Sequence, residues 1–110
     1  MNERQCLGRA GEQFASEVLQ QGGYEILKRN FRCKEGEIDI IAQRENELFF
    51  IEVKTRRGAA FGAPCEAVDQ RKRQHMRKAA AVFLSENRGP WEYYSFQVIE
   101  VGFNKIDNAF

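Results

Sequence analysis

Apolar residues recur at three- and four-residue spacing near the start of the chain, at Leu7, Ala10, Phe14, Ala15, Val18 and Leu19. This spacing predicts an amphipathic helix from Asn2 to about Gln21, with Gly22-Gly23 as its stop. Tyr24 to Arg32 reads as extended, and Lys34-Glu35-Gly36 as a turn. The strongest strand signals are Glu37 to Gln43 and Glu47 to Thr55, both rich in β-branched and aromatic residues. Between them Glu45-Asn46 suits a two-residue hairpin turn, with Asn46 able to take a left-handed backbone. Arg56 to Ala63 reads as a loop, and Pro64 as the first residue of a second helix running to about Glu86. That helix would bury Val68, Met76, Ala79, Ala80, Phe83 and Leu84. Asn87 to Pro90 ends it, Tyr93 to Val101 is a further strand, and Ile106 to Phe110 is a short edge strand or a docked tail. The order αβββαβ predicts one α/β domain over residues 1–110, a mixed central sheet flanked by two helices.

Composition narrows the chemistry. At 110 residues with 43% hydrophobic content the chain can bury a core of its own, which makes a single domain the expectation. Its longest apolar run, Ala79 to Leu84, is too short to span a bilayer, so no membrane association is expected. The N-terminal residues lack the apolar stretch of a signal peptide. Cys6, Cys33 and Cys65 are odd in number and have no C-x-x-C spacing, which fits a reducing cytoplasm better than a disulfide framework. A lone histidine, His75, is too few for a zinc site built on histidine and reads as structural. Any metal would therefore be held by carboxylate oxygens, which favour Mg²⁺, Mn²⁺ or Ca²⁺.

The hairpin supplies such oxygens. With Glu45-Asn46 as its turn, Arg44 faces Glu47, Asp39 faces Glu52, and Glu37 faces Lys54. Leu48, Phe50, Glu52 and Lys54 share one strand face, and Phe49, Ile51, Val53 and Thr55 the other. Carboxylates directly opposed at about 4.5–5.5 Å between Cβ atoms repel and need compensation. An ordinary salt bridge on a solvated sheet face would do this, with Lys54 as one partner. A divalent ion gripped by Asp39 and Glu52 is the stronger reading, because both acids flank apolar strand centres.

Asp39-x12-Glu52-Val53-Lys54 resembles the D…(D/E)-x-K signature of the restriction-endonuclease-like superfamily of metal-dependent nucleases. Gly36-Glu-Ile-Asp-Ile-Ile-Ala42 followed by Phe50-Ile-Glu-Val-Lys-Thr-Arg56 is closer still to the YraN-like family within it. The likeness takes in Gly8, Glu12, Ala15 and Leu19, then Asn30-Phe31-Arg32, Phe61-Gly62, Ala67-Val68-Asp69 with Lys72, and Asn108-Ala109-Phe110. It implies a restriction-endonuclease-like fold in which Asp39, Glu52 and the Val53 carbonyl hold Mg²⁺ or Mn²⁺, and Glu12 lends a further acid from the first helix. The implied reaction is phosphodiester hydrolysis, with Lys54 stabilising charge on the phosphate. Two departures stand out. Ile38 replaces the superfamily's usual proline, and Gln97 in Ser95-Phe96-Gln97-Val98 stands where the family often has an aspartate.

The net charge of +1 conceals strong polarisation. From Lys54 to Lys78 eight cations (Lys54, Arg56, Arg57, Arg71, Lys72, Arg73, Arg77 and Lys78) meet two acids, Glu66 and Asp69. Lys28 to Lys34 adds four more cations and no acid, and the acidic excess lies elsewhere. Arg32, Arg56, Arg57, Arg71, Lys72 and Arg73 are accordingly the expected phosphate contacts. Trp91, Tyr93 and Tyr94 could stack bases, but aromatics beside a strand more often serve as core or rim packing. The function expected is a metal-dependent nuclease acting on DNA in preference to RNA, on branched or non-specific substrates. A homodimer would suit paired strand cuts. The alternatives are a non-catalytic nucleic-acid-binding protein of the same fold, which Gln97 favours, and a partner-binding scaffold.

Overall fold

The computed structural model describes residues 2–57 and 69–104. Six elements follow one another: α1 (Glu3–Gln21), β1 (Glu25–Cys33), β2 (Gly36–Arg44), β3 (Glu47–Arg57), α2 (Gln70–Glu86) and β4 (Tyr93–Phe103). They form the expected α/β arrangement in the order αβββαβ. The sheet runs β1-β2-β3-β4, antiparallel across the first three strands and parallel between β3 and β4. The segment Ile106 to Phe110, expected as an edge strand or tail, lies outside the described residues.

α1 starts on a capping box: the Asn2 side chain accepts from the Gln5 N–H at 2.8 Å, and the Gln5 side chain accepts from the Asn2 N–H at 3.1 Å. The helix buries a narrow stripe of Gly11, Ala15, Ser16 and Leu19. Phe14 and Val18, expected on the apolar face, are half exposed instead. The reason is proximity: a Cβ at Gly11 would collide with Thr55 Oγ1 of β3, so α1 lies too close to the sheet for a wide apolar face.

Side-chain alternation along β3 sorts the two cores. Phe49 and Ile51 join Ala15, Leu19, Ile40, Ala42 and Val101 under α1. Leu48 and Phe50 join Ile38, Ile41, Ala79, Ala80 and Phe83 under α2. The central strands are thus buried on both faces, as their β-branched and aromatic content requires. Ile38 and Ile40 are two residues apart yet serve opposite cores, so the alternation of β2 slips at Asp39.

Three expectations need correction. α2 starts at Gln70, not at Pro64: Asp69 is its N-cap, with extended backbone (φ −67°, ψ 165°) and a carboxylate accepting from the Lys72 N–H at 2.8 Å. Pro64, Val68 and the glycines of the expected loop lie outside the described residues. Arg56 and Arg57 belong to β3, because parallel pairing with β4 continues to Arg57 opposite Phe103. In the hairpin turn Glu45 takes the left-handed backbone (φ 57°). The Asn46 carbonyl instead accepts from the N–H groups of Glu92 and Tyr93, at 2.8 and 3.3 Å. Among the described residues no helix is long and apolar enough to cross a membrane.

Candidate active site

The expected register holds from Arg44 opposite Glu47 to Ile40 opposite Ile51, and there the ladder stops. Beyond it β3 continues along β4, while β2 stays with β1 as far as Cys33 opposite Gly36. The arms of the hairpin part because each is bound to its outer neighbour. Asp39 and Glu52 therefore do not face each other as a ladder pair, and neither do Glu37 and Lys54. Glu37 lies opposite Arg32 on β1 and forms an ion pair with it at 3.1 Å.

Asp39 sits in the gap. One of its carboxylate oxygens, Oδ2, accepts from the Val53 N–H at 2.8 Å, replacing a ladder carbonyl. On the other side β1 also skips this position, where Asn30 adopts a left-handed backbone (φ 53°) between the pairs Arg29–Ile40 and Phe31–Ile38. Asparagine tolerates this conformation better than other non-glycine residues. Asp39 is thus free of the β ladder on both sides, and its carboxylate lies within reach of both helices.

Asp39 and Glu52 are each only 7% exposed. Burial is the main influence on Asp39 and raises its pKa; the Val53 hydrogen bond opposes it, and the charges of Glu52, Glu12 and Glu37 add to it. The result is a carboxyl pushed up to about 7. Glu52 has a cationic partner: Lys72 Nζ of α2 lies 2.6 Å from Glu52 Oε1. Burial alone would lower the Lys72 pKa, but the hydrogen bond and charge of Glu52, with Asp39 and Glu37, raise it overall. The salt bridge weighed against a metal is therefore present at Glu52, with Lys72 in place of Lys54. No ion pair to Asp39 is present among the described residues.

Two close backbone approaches bring the helices here. Gly11 against Thr55 seats α1, and the next residue, Glu12, is half-buried and near enough for its charge to act on Asp39. Glu12 shares a groove with Arg9, Asn30, Arg32 and Glu37. Gly36 seats α2, since a Cβ there would come within 2.9 Å of the His75 carbonyl oxygen. The cavity on this side, of about 410 Å³, is lined by Glu52, Asp69, Arg71, Lys72 and His75 among others. His75, read as structural, is exposed and lines that cavity.

Lys54 is half-buried on the same β3 face as Glu52, and Val53 faces α1. The basic residues divide into two groups. Arg32 pairs with Glu37, Arg56 with Glu100 at 2.6 Å, and Arg57 with Glu3. Arg71 and Arg73 are exposed and make no ion pair among the described residues. Gln97 is exposed opposite Ile51, two strands from Asp39. Trp91 packs at the rim of the α2 core and donates to Gln43 Oε1 at 2.7 Å, whereas Tyr93 and Tyr94 are mostly exposed. Among the described residues no three acidic, cysteine or histidine side chains gather closely enough to hold an ion by themselves. Asp39 and Glu52 are the two central acids, and Mg²⁺ commonly takes one or two protein carboxylates and completes its shell with water. The approach of Lys72 to Glu52, the place of His75 on the cavity and the left-handed backbone of Asn30 are not visible in the periodic pattern of the sequence. For Lys72 a signal existed in Asp69 three residues earlier, an N-cap that fixes where α2 begins.

The profile of the uncharacterised protein family UPF0102 matches residues 11–101. A UPF0102 protein of Nocardia farcinica is 46% identical over 101 residues, covering 92% of this chain and 80% of its own. One from Caldicellulosiruptor saccharolyticus is 48% identical over 104 residues, covering 94% and 87%. One from Caldicellulosiruptor bescii is 45% identical over 110 residues, covering 99% and 92%.

Proposed function

The chain belongs to the uncharacterised protein family UPF0102, and from the geometry of its own residues we propose that it is a metal-dependent nuclease hydrolysing phosphodiester bonds in DNA. The observation that carries this reading is Asp39: a buried carboxylate, out of the β ladder, beside other acids and with no cationic partner among the described residues. Such a group is costly to ionise, and a divalent cation is the partner that would stabilise it. Asp39 and Glu52, with the Val53 carbonyl, would hold Mg²⁺ or Mn²⁺. When bound, such an ion polarises the phosphate and lowers the pKa of water at the reacting centre.

The remaining work falls to the chain's own groups. Lys54, on the Glu52 side of β3, stabilises negative charge as it grows on the phosphate. Glu12 adds an acid from α1. Arg71, Lys72 and Arg73 grip the backbone of the nucleic acid from α2. Arg32, Arg56 and Arg57 contribute only when a phosphate outcompetes Glu37, Glu100 and Glu3. Phosphate contacts carry no base sequence, so branched or non-specific DNA is the substrate class this surface fits. The odd number of cysteines, with no C-x-x-C spacing, suits a cytoplasmic setting.

A second reading, a nucleic-acid-binding protein of this fold without turnover, is favoured by the Lys72–Glu52 ion pair, which occupies one of the two carboxylates. Cleavage of plasmid, four-way junction and single-stranded DNA with Mg²⁺ or Mn²⁺ separates the two. Wild-type protein should cut and Asp39→Ala should not. Equal cutting by both would place the activity elsewhere, and salt-sensitive binding without cutting would favour the second reading.

A further inference from the structure

Lys72 is held at its backbone by a helix cap and at its tip by a single carboxylate. The Asp69 carboxylate accepts its N–H at 2.8 Å, and the contact of Gly36 with His75, one turn on, fixes the height of α2 over the hairpin. From that anchored position a flexible four-carbon stem, its side chain 47% exposed, carries the ammonium to within 2.6 Å of Glu52 Oε1. Glu52 itself is buried and makes no other ion pair among the described residues. A divalent ion on the same carboxylate would face that ammonium at close range in a poorly hydrated site, where like charges repel most strongly. The carboxylate cannot hold both at full strength.

We propose that Lys72 and the divalent ion compete for Glu52. The lysine neutralises the buried carboxylate until the ion arrives. With the ion bound, Lys72 would turn its ammonium into the adjoining cavity, beside Arg71, His75 and Asp69, and meet a phosphate of the nucleic acid there. Lys72 is a positioning residue of the ion-free state and a phosphate contact of the loaded one. The inference rests on the reading that Asp39 and Glu52 hold the ion.

Calorimetric titration of Mn²⁺ into wild type, Lys72→Met, Lys72→Arg and Asp39→Asn tests it, with no nucleic acid present. Lys72→Met should bind Mn²⁺ on the order of 10-fold more tightly than wild type, the size of a partly desolvated charge pair removed from competition. Lys72→Arg, which keeps the charge, should stay near wild type. The same Lys72→Met protein should lower the cleavage rate at saturating Mn²⁺ while its half-saturating Mn²⁺ concentration falls, a split that simple loss of structure does not produce. Without metal its thermal midpoint should drop, and Mn²⁺ should restore it. Wild-type binding with equal or weaker affinity in Lys72→Met would overturn the competition and leave the metal site standing. Absence of binding in every protein, or binding that Asp39→Asn does not weaken, would overturn the metal site and the competition with it.

Discussion

The two halves of the β2–β3 hairpin belong to the same pair of strands and do opposite things. Near the turn, from Ile40–Ile51 to Arg44–Glu47, the strands are paired residue by residue, with Ile40 to Ala42 and Leu48 to Ile51 buried between two helices. Away from the turn they part, and the gap holds two buried carboxylates, one hydrogen-bonded to a backbone N–H and the other to a lysine from α2. The closed half gains free energy from apolar burial. The open half loses it, because an ionised Asp39 in that setting is unfavourable. Placing buried carboxylates beside a well-packed segment is how a small domain can carry their cost without unfolding.

The comparison breaks most readily at Phe50. This ring is fully buried, stacks on Phe96 with centroids 5.3 Å apart and meets Phe83 edge-on at 6.2 Å. Phe50→Ala should cost about 3–5 kcal/mol in urea unfolding. Under the nuclease reading proposed above, cleavage per folded molecule should change little, and a comparable loss there would mean that the closed half also shapes the chemistry.

Gly11 tests whether the open half depends on the seat of α1. Gly11→Ala improves intrinsic helix propensity by about 1 kcal/mol, yet its methyl group meets Thr55. Overpacking of this kind costs about 1–3 kcal/mol, so the net effect should be destabilising. Adding Thr55→Ala should recover part of it. Strict additivity of the two substitutions in thermal unfolding would argue against the contact.

The third test is in pH. Folding raises the Asp39 pKa from an ordinary carboxylate value to about 7, so between about pH 4 and 7 the folded chain binds more protons than the unfolded one. In metal-free buffer stability should therefore fall as pH rises through that window and level off above it, by on the order of 4 kcal/mol in all. Asp39→Asn, which keeps an acceptor for the Val53 N–H, should flatten this slope and be the more stable protein at pH 8. A wild-type slope equal to that of Asp39→Asn would mean that Asp39 ionises at no cost. Saturating Mn²⁺ should flatten the slope in wild type as well.

The closed half was legible from the chain because strand periodicity and a two-residue turn set it locally: Arg44 faces Glu47, and the register follows to Ile40–Ile51. The open half was legible only in its residues. Asp39, Glu52 and Lys54 stood out by type and spacing, but extrapolating the same register past Ile40 paired Asp39 with Glu52 and Glu37 with Lys54. That extrapolation failed because β1 and β4, distant in sequence, each hold one arm of the hairpin. The fate of the basic residues was equally non-local. Arg32, Arg56 and Arg57 count as cations in the sequence and are matched by Glu37, Glu100 and Glu3 in the fold, the last two far away along the chain.

By itself, then, the sequence determined the element order, the two-sided burial of the central strands, and the acids and cations from which a site could be made. These follow from periodicity, side-chain chemistry and neighbours a few residues apart. Only the tertiary structure decided that the strands part at Asp39, that Glu12 and Lys72 reach the gap from opposite helices, and that Lys72 rather than Lys54 neutralises Glu52. Those outcomes depend on where Gly11 and Gly36 let the helices approach the sheet, a contact between residues some forty positions apart that no local pattern encodes.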